Sequence, residues 1–344
     1  MIDENLNLNS YDYYLPENLI AQTPLQPRDS SRLLVCSKVS NTVEHKTFHD
    51  IINYLSAGDV LVINNTKVMP SRLYGEKVDT KAKIELLLLK KINLTDWEVI
   101  VKPAKRCKVG TVIKISDELS CKIIENTNYD TKIASFNFEG NFEEILDKIG
   151  IMPLPPYIKQ SLKNKNRYQT VYSKFFGSSA APTAGLHFTK ELLAKIKAKG
   201  VIIVEVLLHV GLGTFKPVSE ENILHHHMHS EYVEVSKKSA DIINLAKKEN
   251  RKIIAVGTTS VRVLESCCEN GKLIPTKKQT NIFIYPPYKF KIVDAIITNF
   301  HLPKSTLLML VSAFIGRKET LELYKIAVAN KYRFFSFGDA MLLM

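Results

Sequence analysis

The feature that most constrains the fold is a change of pattern along the chain. In one stretch, short β-type runs follow one another without a long helical pattern between them. These runs lie at residues 84–89, 97–101, 111–116, 121–125 and 132–138. Such a regular series favours a small antiparallel barrel or sandwich. From about residue 160 strands alternate with helices, which is typical of an α/β domain. The sequence therefore predicts a β domain over residues 73–154, flanked by residues 1–72 and by an α/β pattern within residues 155–344.

Composition narrows the class of protein. At 344 residues the chain can bury a sizeable core, and it holds no apolar run of the roughly 20 residues that span a membrane. The polar, acidic start does not predict a signal peptide, and five cysteines without a CxxC pair favour a reducing cytosol. The net charge of +12 permits a nucleic-acid partner, although lysines at neutral surface sites would also explain it.

Residues 294–314, DAIITNFHLPKSTLLMLVSAF, predict a buried strand, a polar loop and the start of a helix. A helix N-terminus offers unpaired N–H groups that suit a carboxylate or a phosphate. The loop supplies Asn299, His301, Lys304 and Ser305. An ordinary connection between a strand and a helix is the alternative.

A second strand, loop and helix are predicted over residues 252–268, where the loop is GTTS. Its hydroxyls and the nearby Arg262 could form an anion cradle, although a plain helix cap fits the pattern equally well. The glycine-rich stretch 211–218, GLGTFKPV, is not a dinucleotide fingerprint, because Lys216 stands where the third glycine would fall.

Two polar clusters leave alternatives open. If residues 227–231 form a strand, then His227, His229 and Glu231 share one face and could hold zinc, but a hydrogen-bonded network would explain them as well. Near the start of the chain, Arg28 and Arg32 could grip a phosphate or pair with carboxylates such as Asp29.

A set of strings in chain order resembles one enzyme family. The strings are DYYLPENLIAQ, SRLLV, RYQTVY, AAPTAGLHFT, LHVGLGTFKPV, HMHSE, AVGTTSVR, TNFHLPKSTLLMLVSAF and YRFFSFGDAM. From about residue 11 to the end, the chain resembles the S-adenosylmethionine:tRNA ribosyltransferase-isomerases of the queuosine pathway. The resemblance implies a large α/β domain, open and barrel-like, with an inserted small antiparallel β-barrel domain.

The resemblance also implies a reaction. The family attaches the ribosyl portion of S-adenosylmethionine to 7-aminomethyl-7-deazaguanine at the tRNA wobble position, and it releases adenine and methionine. The product carries an epoxycyclopentane ring and is epoxyqueuosine. S-adenosylmethionine is consumed as a substrate, so no cofactor is expected. The expected partner is tRNA with a GUN anticodon, and the expected protein is a cytoplasmic monomer without a membrane contact.

The chemistry suggests roles for particular residues, and a metal site is not among them. For proton transfers we expect His187, Glu231, His301 and Asp339. For binding S-adenosylmethionine we expect Thr258, Thr259, Arg262, Asn299 and Ser305, because both polar loops precede helices. For tRNA phosphates we expect Arg72, Lys102, Lys105 and Arg106. The wobble base is expected to stack on an aromatic ring such as Phe188 or Phe300.

Two other functions are kept as alternatives. An S-adenosylmethionine-dependent tRNA methyltransferase would need a glycine-rich loop after its first strand, which this sequence lacks, and would release S-adenosylhomocysteine. A non-catalytic RNA-binding protein would show no turnover.

Overall fold

The computed structural model describes residues 3–38, 42–127, 131–160, 162, 164–211 and 218–344. The chain forms two compact units. The first unit consists of Met1–Lys67, Pro156–Phe175 and Ala181–Met344, and the second of Val68–Pro155 and Phe176–Ala180. The boundaries 72/73 and 154/155 stay predictions from the sequence.

The described residues form strands and helices with the following bounds. The strands are β1 Arg32–Ser37, β2 Thr42–Thr47, β3 Val60–Asn64, β4 Thr66–Val68, β5 Arg72–Lys77, β6 Lys83–Lys91, β7 Asp96–Lys102, β8 Val112–Lys114, β9 Leu119–Asn126, β10 Lys132–Phe138, β11 Phe175–Ser178, β12 Ile202–Leu208, β13 Glu231–Val235, β14 Ile253–Val256, β15 Cys268–Glu269, β16 Lys272–Leu273, β17 Thr276–Thr280, β18 Ala295–Asn299 and β19 Ala340–Leu343. The α-helices are α1 Phe142–Ile149, α2 Lys190–Ala198, α3 Lys237–Lys248, α4 Gly257–Ser266, α5 Thr306–Ile315 and α6 Arg317–Ala329. The 3-10 helices are Glu4–Leu6, Leu8–Tyr11, Glu17–Leu19, Arg28–Ser30, Phe48–Tyr54, Ala104–Arg106, Lys165–Tyr168, Thr183–His187 and Ile223–His225.

The first unit is built on a nine-stranded mixed sheet with the order β17-β13-β12-β3-β14-β18-β19-β1-β2. The four central strands β12, β3, β14 and β18 are parallel. All residues of β3, β14 and β18 are buried, which is the pattern of a parallel sheet covered on both faces. Their apolar, β-branched runs were sufficient to predict β14 and β18.

The carboxyl ends of the parallel strands meet at one edge of this sheet, here called the strand-end edge. Strand β19 is antiparallel to β18, and Asn299 pairs with Ala340, so β19 begins where β18 ends. Strand β1 is parallel to β19 and pairs Leu33 with the same Ala340. The strand-end edge therefore also receives the residues that precede β1 and β19.

The second unit contains a closed antiparallel barrel with the order β10-β7-β6-β5-β8-β9. In β6 and β7 buried residues alternate with more exposed ones, because successive side chains point to opposite faces. The inward side chains, among them Leu86, Val99 and Ile123, form one apolar core. The predicted fold class, an α/β domain with a small antiparallel barrel, is confirmed.

Two expectations from composition can be compared with the described residues. None of their helices is long and apolar enough to cross a membrane. Four of the cysteines, Cys107, Cys121, Cys267 and Cys268, are buried as small apolar side chains, and Cys36 is half-buried.

Candidate functional site

The strand-end edge collects buried polar side chains from distant parts of the chain. They are Ser31, Asn64, His187, Glu231, Thr258, Thr259, Arg262, Asn299, His301 and Asp339. Burying a polar group is costly unless it is paired, so such a concentration needs a reason. Most of these residues were predicted as site residues, and the fold brings them to one edge.

The loop after β14 opens directly into α4. Gly257 has a φ of +83°, a conformation that glycine adopts without strain. No side chain caps the start of α4, and the Thr259 hydroxyl, in a residue only 7% exposed, has no partner among the described residues. The Ser260 hydroxyl instead donates to the Val256 carbonyl at 2.7 Å. The first turn of α4 thus offers N–H groups and a hydroxyl to an anion.

Arg262 and Glu231 form a buried ion pair beside this turn. Arg262 is 4% exposed and donates from Nη1 to Glu231 Oε2, whereas its Nε and Nη2 have no partner in the described part of the chain. Glu231 Oε1 accepts the Gly211 amide at 3.1 Å and lies 3.2 Å from His229 Nε2. Burial alone would raise the pKa of Glu231, but Arg262, His229 and the amide lower it to about 2. Glu231 is therefore ionised, and Arg262 keeps donors for a second anion.

His187 is held between two polar side chains on this edge. Its Nδ1 lies 2.7 Å from Ser31 Oγ, and its Nε2 lies 3.1 Å from Asn299 Nδ2. Asn299 Nδ2 also faces the Phe335 carbonyl at 3.1 Å, so this atom is the amide donor. His187 Nε2 consequently accepts, and Nδ1 carries the proton and donates to Ser31. The Ser31 proton then remains available to a ligand.

His187 is neutral in these surroundings. It is 4% exposed, and its ring stacks on Phe48 with centroids 4.9 Å apart. Burial, with smaller effects of the Arg333 and Arg28 charges, lowers its pKa to about 3. A neutral imidazole can accept and relay hydrogen bonds, but it does not store a proton at neutral pH.

His301 is buried in a similar way after β18. Its Nε2 lies 2.9 Å from Thr298 Oγ1, and its backbone is fixed by the hydroxyls of Tyr324 and Tyr13. Burial lowers the pKa of His301 to about 3. The roles of His187 and His301 in proton transfer stay predictions.

Asp339 ties two segments of backbone together. Its two carboxylate oxygens accept the amides of Arg32 at 2.9 Å and Arg333 at 2.8 Å. Burial raises the pKa of Asp339, although these hydrogen bonds oppose that effect. The neighbouring Gly338 lies so close to the Arg333 carbonyl that a Cβ would come within 2.5 Å of it. These contacts give Asp339 a structural role at the start of β19, and a catalytic role stays a prediction.

A small open cleft in the first unit is lined in part by Ser31 and His187. Its walls include Arg28, Arg167 and Phe337. The sequence had singled out Arg28 but had not placed Ser31 or Arg167 in a site. A signal existed for both, because RDSS ends with Ser31 and RYQTVY begins with Arg167.

Other predicted residues lie elsewhere. Ser305 caps α5 by accepting the Leu308 amide at 3.2 Å. In the second unit, Arg72 on β5 lies 3.2 Å from Glu85 through Nε. Lys102 ends β7, and Lys105 and Arg106 follow in the exposed turn after it.

One prediction is wrong. Phe188 and Phe300 are completely buried, Phe188 against Phe48 and Phe300 against Phe334 and other rings, so neither offers a ring face for base stacking. The condition for a shared face over residues 227–231 is not met, because β13 begins only at Glu231. No group of three metal-binding side chains occurs within the described ranges. Residues 212–217 of the predicted loop 211–218 lie outside them.

Comparison with known proteins points to one family. The family described as Queuosine biosynthesis protein matches residues 8–343. The S-adenosylmethionine:tRNA ribosyltransferase-isomerase of Fusobacterium nucleatum is 58% identical over 339 residues, which cover 98% of this chain and 96% of that protein. The enzyme of the same name from Carboxydothermus hydrogenoformans is 55% identical over 340 residues, covering 98% of this chain and 100% of that protein. The crystal structure of the Thermotoga maritima S-adenosylmethionine tRNA ribosyltransferase has a TM-score of 0.55 and 38% identity, covering 97% of this chain and 100% of that one.

Proposed function

The chain belongs to the family of queuosine biosynthesis proteins, and from this premise we propose that it transfers and isomerises the ribosyl moiety of S-adenosylmethionine. The acceptor is 7-aminomethyl-7-deazaguanine at the wobble position of tRNA. The products are epoxyqueuosine in tRNA, adenine and methionine. The observation that carries the proposal is the strand-end edge, where the unpartnered donors of Arg262 and Thr259 lie together with other buried hydrogen-bonding groups, in a chain 58% identical to a relative with that enzyme name.

The methionine end of S-adenosylmethionine is assigned to the start of α4. Its carboxylate needs a cationic or N–H-rich seat, and Arg262 has donors that Glu231 leaves unused. The uncapped first turn adds the Thr258 and Thr259 amides and the Thr259 hydroxyl. A planar guanidinium with two adjacent N–H groups matches a carboxylate in a bidentate manner.

Glu231 suits the charge of the sulfonium. Its pKa of about 2 makes it a weak base but a permanent anion, which favours a nearby cation. The first step, removal of an acidic hydrogen next to the sulfonium, therefore calls for a different acceptor at neutral pH. His187, His301 and Asp339 stay the proposed groups for proton transfer.

The Ser31–His187–Asn299 chain is assigned to the leaving base and its orientation. Because His187 donates to Ser31, the Ser31 hydroxyl can direct its proton at a ring nitrogen or an oxygen in the cleft. Asn299 fixes the imidazole through Nε2, so the donor direction is set before the substrate binds. Ser305 positions α5 as its cap.

The finer assignments are part of the same proposal. The partner is tRNA with a GUN anticodon, and Arg72, Lys102, Lys105 and Arg106 contact its phosphates. The protein is a cytoplasmic monomer and uses no cofactor beyond the S-adenosylmethionine that it consumes.

The test is a product analysis with purified protein, S-adenosylmethionine and tRNA carrying 7-aminomethyl-7-deazaguanine. We expect adenine and methionine only when that tRNA is present. S-adenosylhomocysteine in place of adenine would indicate a methyltransferase. Tight tRNA binding without any small-molecule product would indicate an RNA-binding protein.

A further inference from the structure

Arg28 and Arg167 are two neighbouring cations without an acidic partner among the described residues. Arg28 donates to the carbonyls of Gln169 at 2.8 Å, Asn166 at 2.8 Å and Leu186 at 3.4 Å. Arg167 donates to the Gln26 side chain and the Leu25 carbonyl. In the described part of the chain neither guanidinium forms an ion pair.

The carbonyls hold the two guanidinium groups in place but leave their charges uncompensated. Burial and the charge of Arg167 lower the pKa of Arg28 to about 10, so Arg28 is still protonated at neutral pH. Two like charges on the wall of one cleft repel each other, and an anion between them relieves that repulsion. The cleft is therefore ready for an anion.

The surroundings distinguish a polyanion from a small carboxylate. Residues 156–175, which supply Arg167, hold five Lys or Arg and no Asp or Glu, and two of the five, Lys159 and Lys174, pair with Glu17 and Glu205 of other segments. The cleft is open to solvent, whereas the seat at Arg262 is closed and already matches a carboxylate. An open, basic approach is the electrostatic footprint of a nucleic-acid strand.

We infer that the cleft between Arg28 and Arg167 seats a backbone phosphate of the RNA strand beside the target nucleotide. The same cleft is lined by Ser31 and His187, so a phosphate held between the two arginines would place the neighbouring nucleotide beside that pair. This inference rests on the proposed function and adds to it a residue-level site for the strand. Arg28 and Arg167 are then positioning groups that fix the register of the tRNA.

The test compares three single variants in tRNA binding at several salt concentrations. Arg167→Gln removes the charge, Arg167→Lys keeps it, and Lys325→Gln removes an exposed charge on α6. We expect Arg167→Gln to weaken tRNA binding about ten-fold and to reduce the slope of log K against log salt by about 0.7. Arg167→Lys keeps the slope, and Lys325→Gln changes neither quantity. S-adenosylmethionine affinity, measured by calorimetry, stays within about two-fold of the unmodified protein in all three.

Two results would overturn the inference. One is an unchanged tRNA affinity and salt slope in folded Arg167→Gln. The other is a loss of S-adenosylmethionine affinity with tRNA binding intact, which would make the cleft the carboxylate seat. Arg28→Lys keeps the charge but not the contacts with all three carbonyls. Its unfolding midpoint measures how much these contacts stabilise the fold. If the unmodified protein neither binds tRNA nor releases adenine, the proposed function fails and not merely this site.

Discussion

The barrel and the large sheet handle polar groups in opposite ways. The described residues of the second unit bury no charged side chain, and their buried polar residues are the serines Ser71, Ser178 and Ser179. The large sheet buries His187, Glu231 and Arg262 at its strand-end edge. A closed antiparallel barrel fills its interior with inward side chains, whereas parallel strands end together and leave loops and helix starts beside one another. We therefore expect the chemistry at the large sheet and a binding surface on the barrel.

The largest effect in this comparison of sheet and barrel is expected from Arg262→Lys. Lysine keeps a charge for Glu231 but lacks the planar fork, so the two unpartnered donors are lost. At about 2 kcal/mol for each charge-assisted hydrogen bond, kcat/KM for S-adenosylmethionine should fall roughly thousand-fold. Adenine release under single-turnover conditions measures this fall in kcat/KM. The affinity for tRNA should not change.

The matched control is Arg251→Lys, at a partly exposed arginine that pairs with Glu249 and donates to the Gly58 carbonyl. It should retain full activity. If Arg262→Lys keeps S-adenosylmethionine binding and loses tRNA binding, the seat at α4 belongs to the RNA and the division between carboxylate and phosphate sites is reversed.

The next largest effect is expected on the free energy of unfolding of the first unit. Glu231→Gln leaves the buried Arg262 charge without its partner and should lower the free energy of unfolding by about 3 kcal/mol. Glu234→Gln on the same strand breaks an exposed pair with Lys277 and should cost less than about 1 kcal/mol. Urea unfolding followed by circular dichroism at 222 nm reports the first unit, because α2–α6 lie in it. Equal losses in the two variants would show that Arg262 finds another partner when Glu231 is neutral.

Local patterns were enough to predict the strand-end loops of the sheet. Every residue of β14 and β18 is buried, and each strand is followed by a polar loop and a helix. Thr259, Arg262 and Asn299 were predicted together because both loops precede helices, and the structure places them on the strand-end edge. The barrel was predicted for a related reason, since alternation of side chains is visible within each strand.

The remaining features depend on pairings between distant segments. Ser31 reaches the edge only because β19 inserts between β18 and β1, and no local pattern encodes that insertion. Periodicity also does not show how many rings surround an aromatic residue, so Phe300 looked like an available stacking surface in a polar loop. The proposed proton-transfer roles of His187 and His301 were drawn from the usual imidazole pKa. Burial, which the sequence does not display, moves both pKa values to about 3.

This burial predicts a pH effect on the sheet. The folded pKa of His301 lies below its usual value of 6.5, so between pH 6.5 and about 3 the unfolded state binds the proton and the folded state does not. Stability contributed by neutral His301 is therefore present above pH 6.5 and falls as the pH drops. Between pH 7.5 and pH 5, the free energy of unfolding should therefore fall by about 2 kcal/mol less in His301→Gln than in the unmodified protein. Urea midpoints at the two pH values measure the difference, and an identical loss would mean that His301 titrates normally.

The smallest effects are expected on the barrel. Three variants each remove an exposed charge at or just after the end of β7: Lys102→Gln, Lys105→Gln and Arg106→Gln. Each should weaken tRNA binding only about two- to three-fold and lower the salt slope by less than 1. Lys122→Gln, an exposed position on β9, is the control and should change neither. Because the barrel's described residues bury no charge, none of the four variants should alter S-adenosylmethionine affinity or single-turnover adenine release at saturating tRNA. A turn variant that slows adenine release at saturating tRNA would give the barrel a part in the chemistry. If the turn variants match Lys122→Gln, tRNA is held by the first unit, where Arg28 and Arg167 stand.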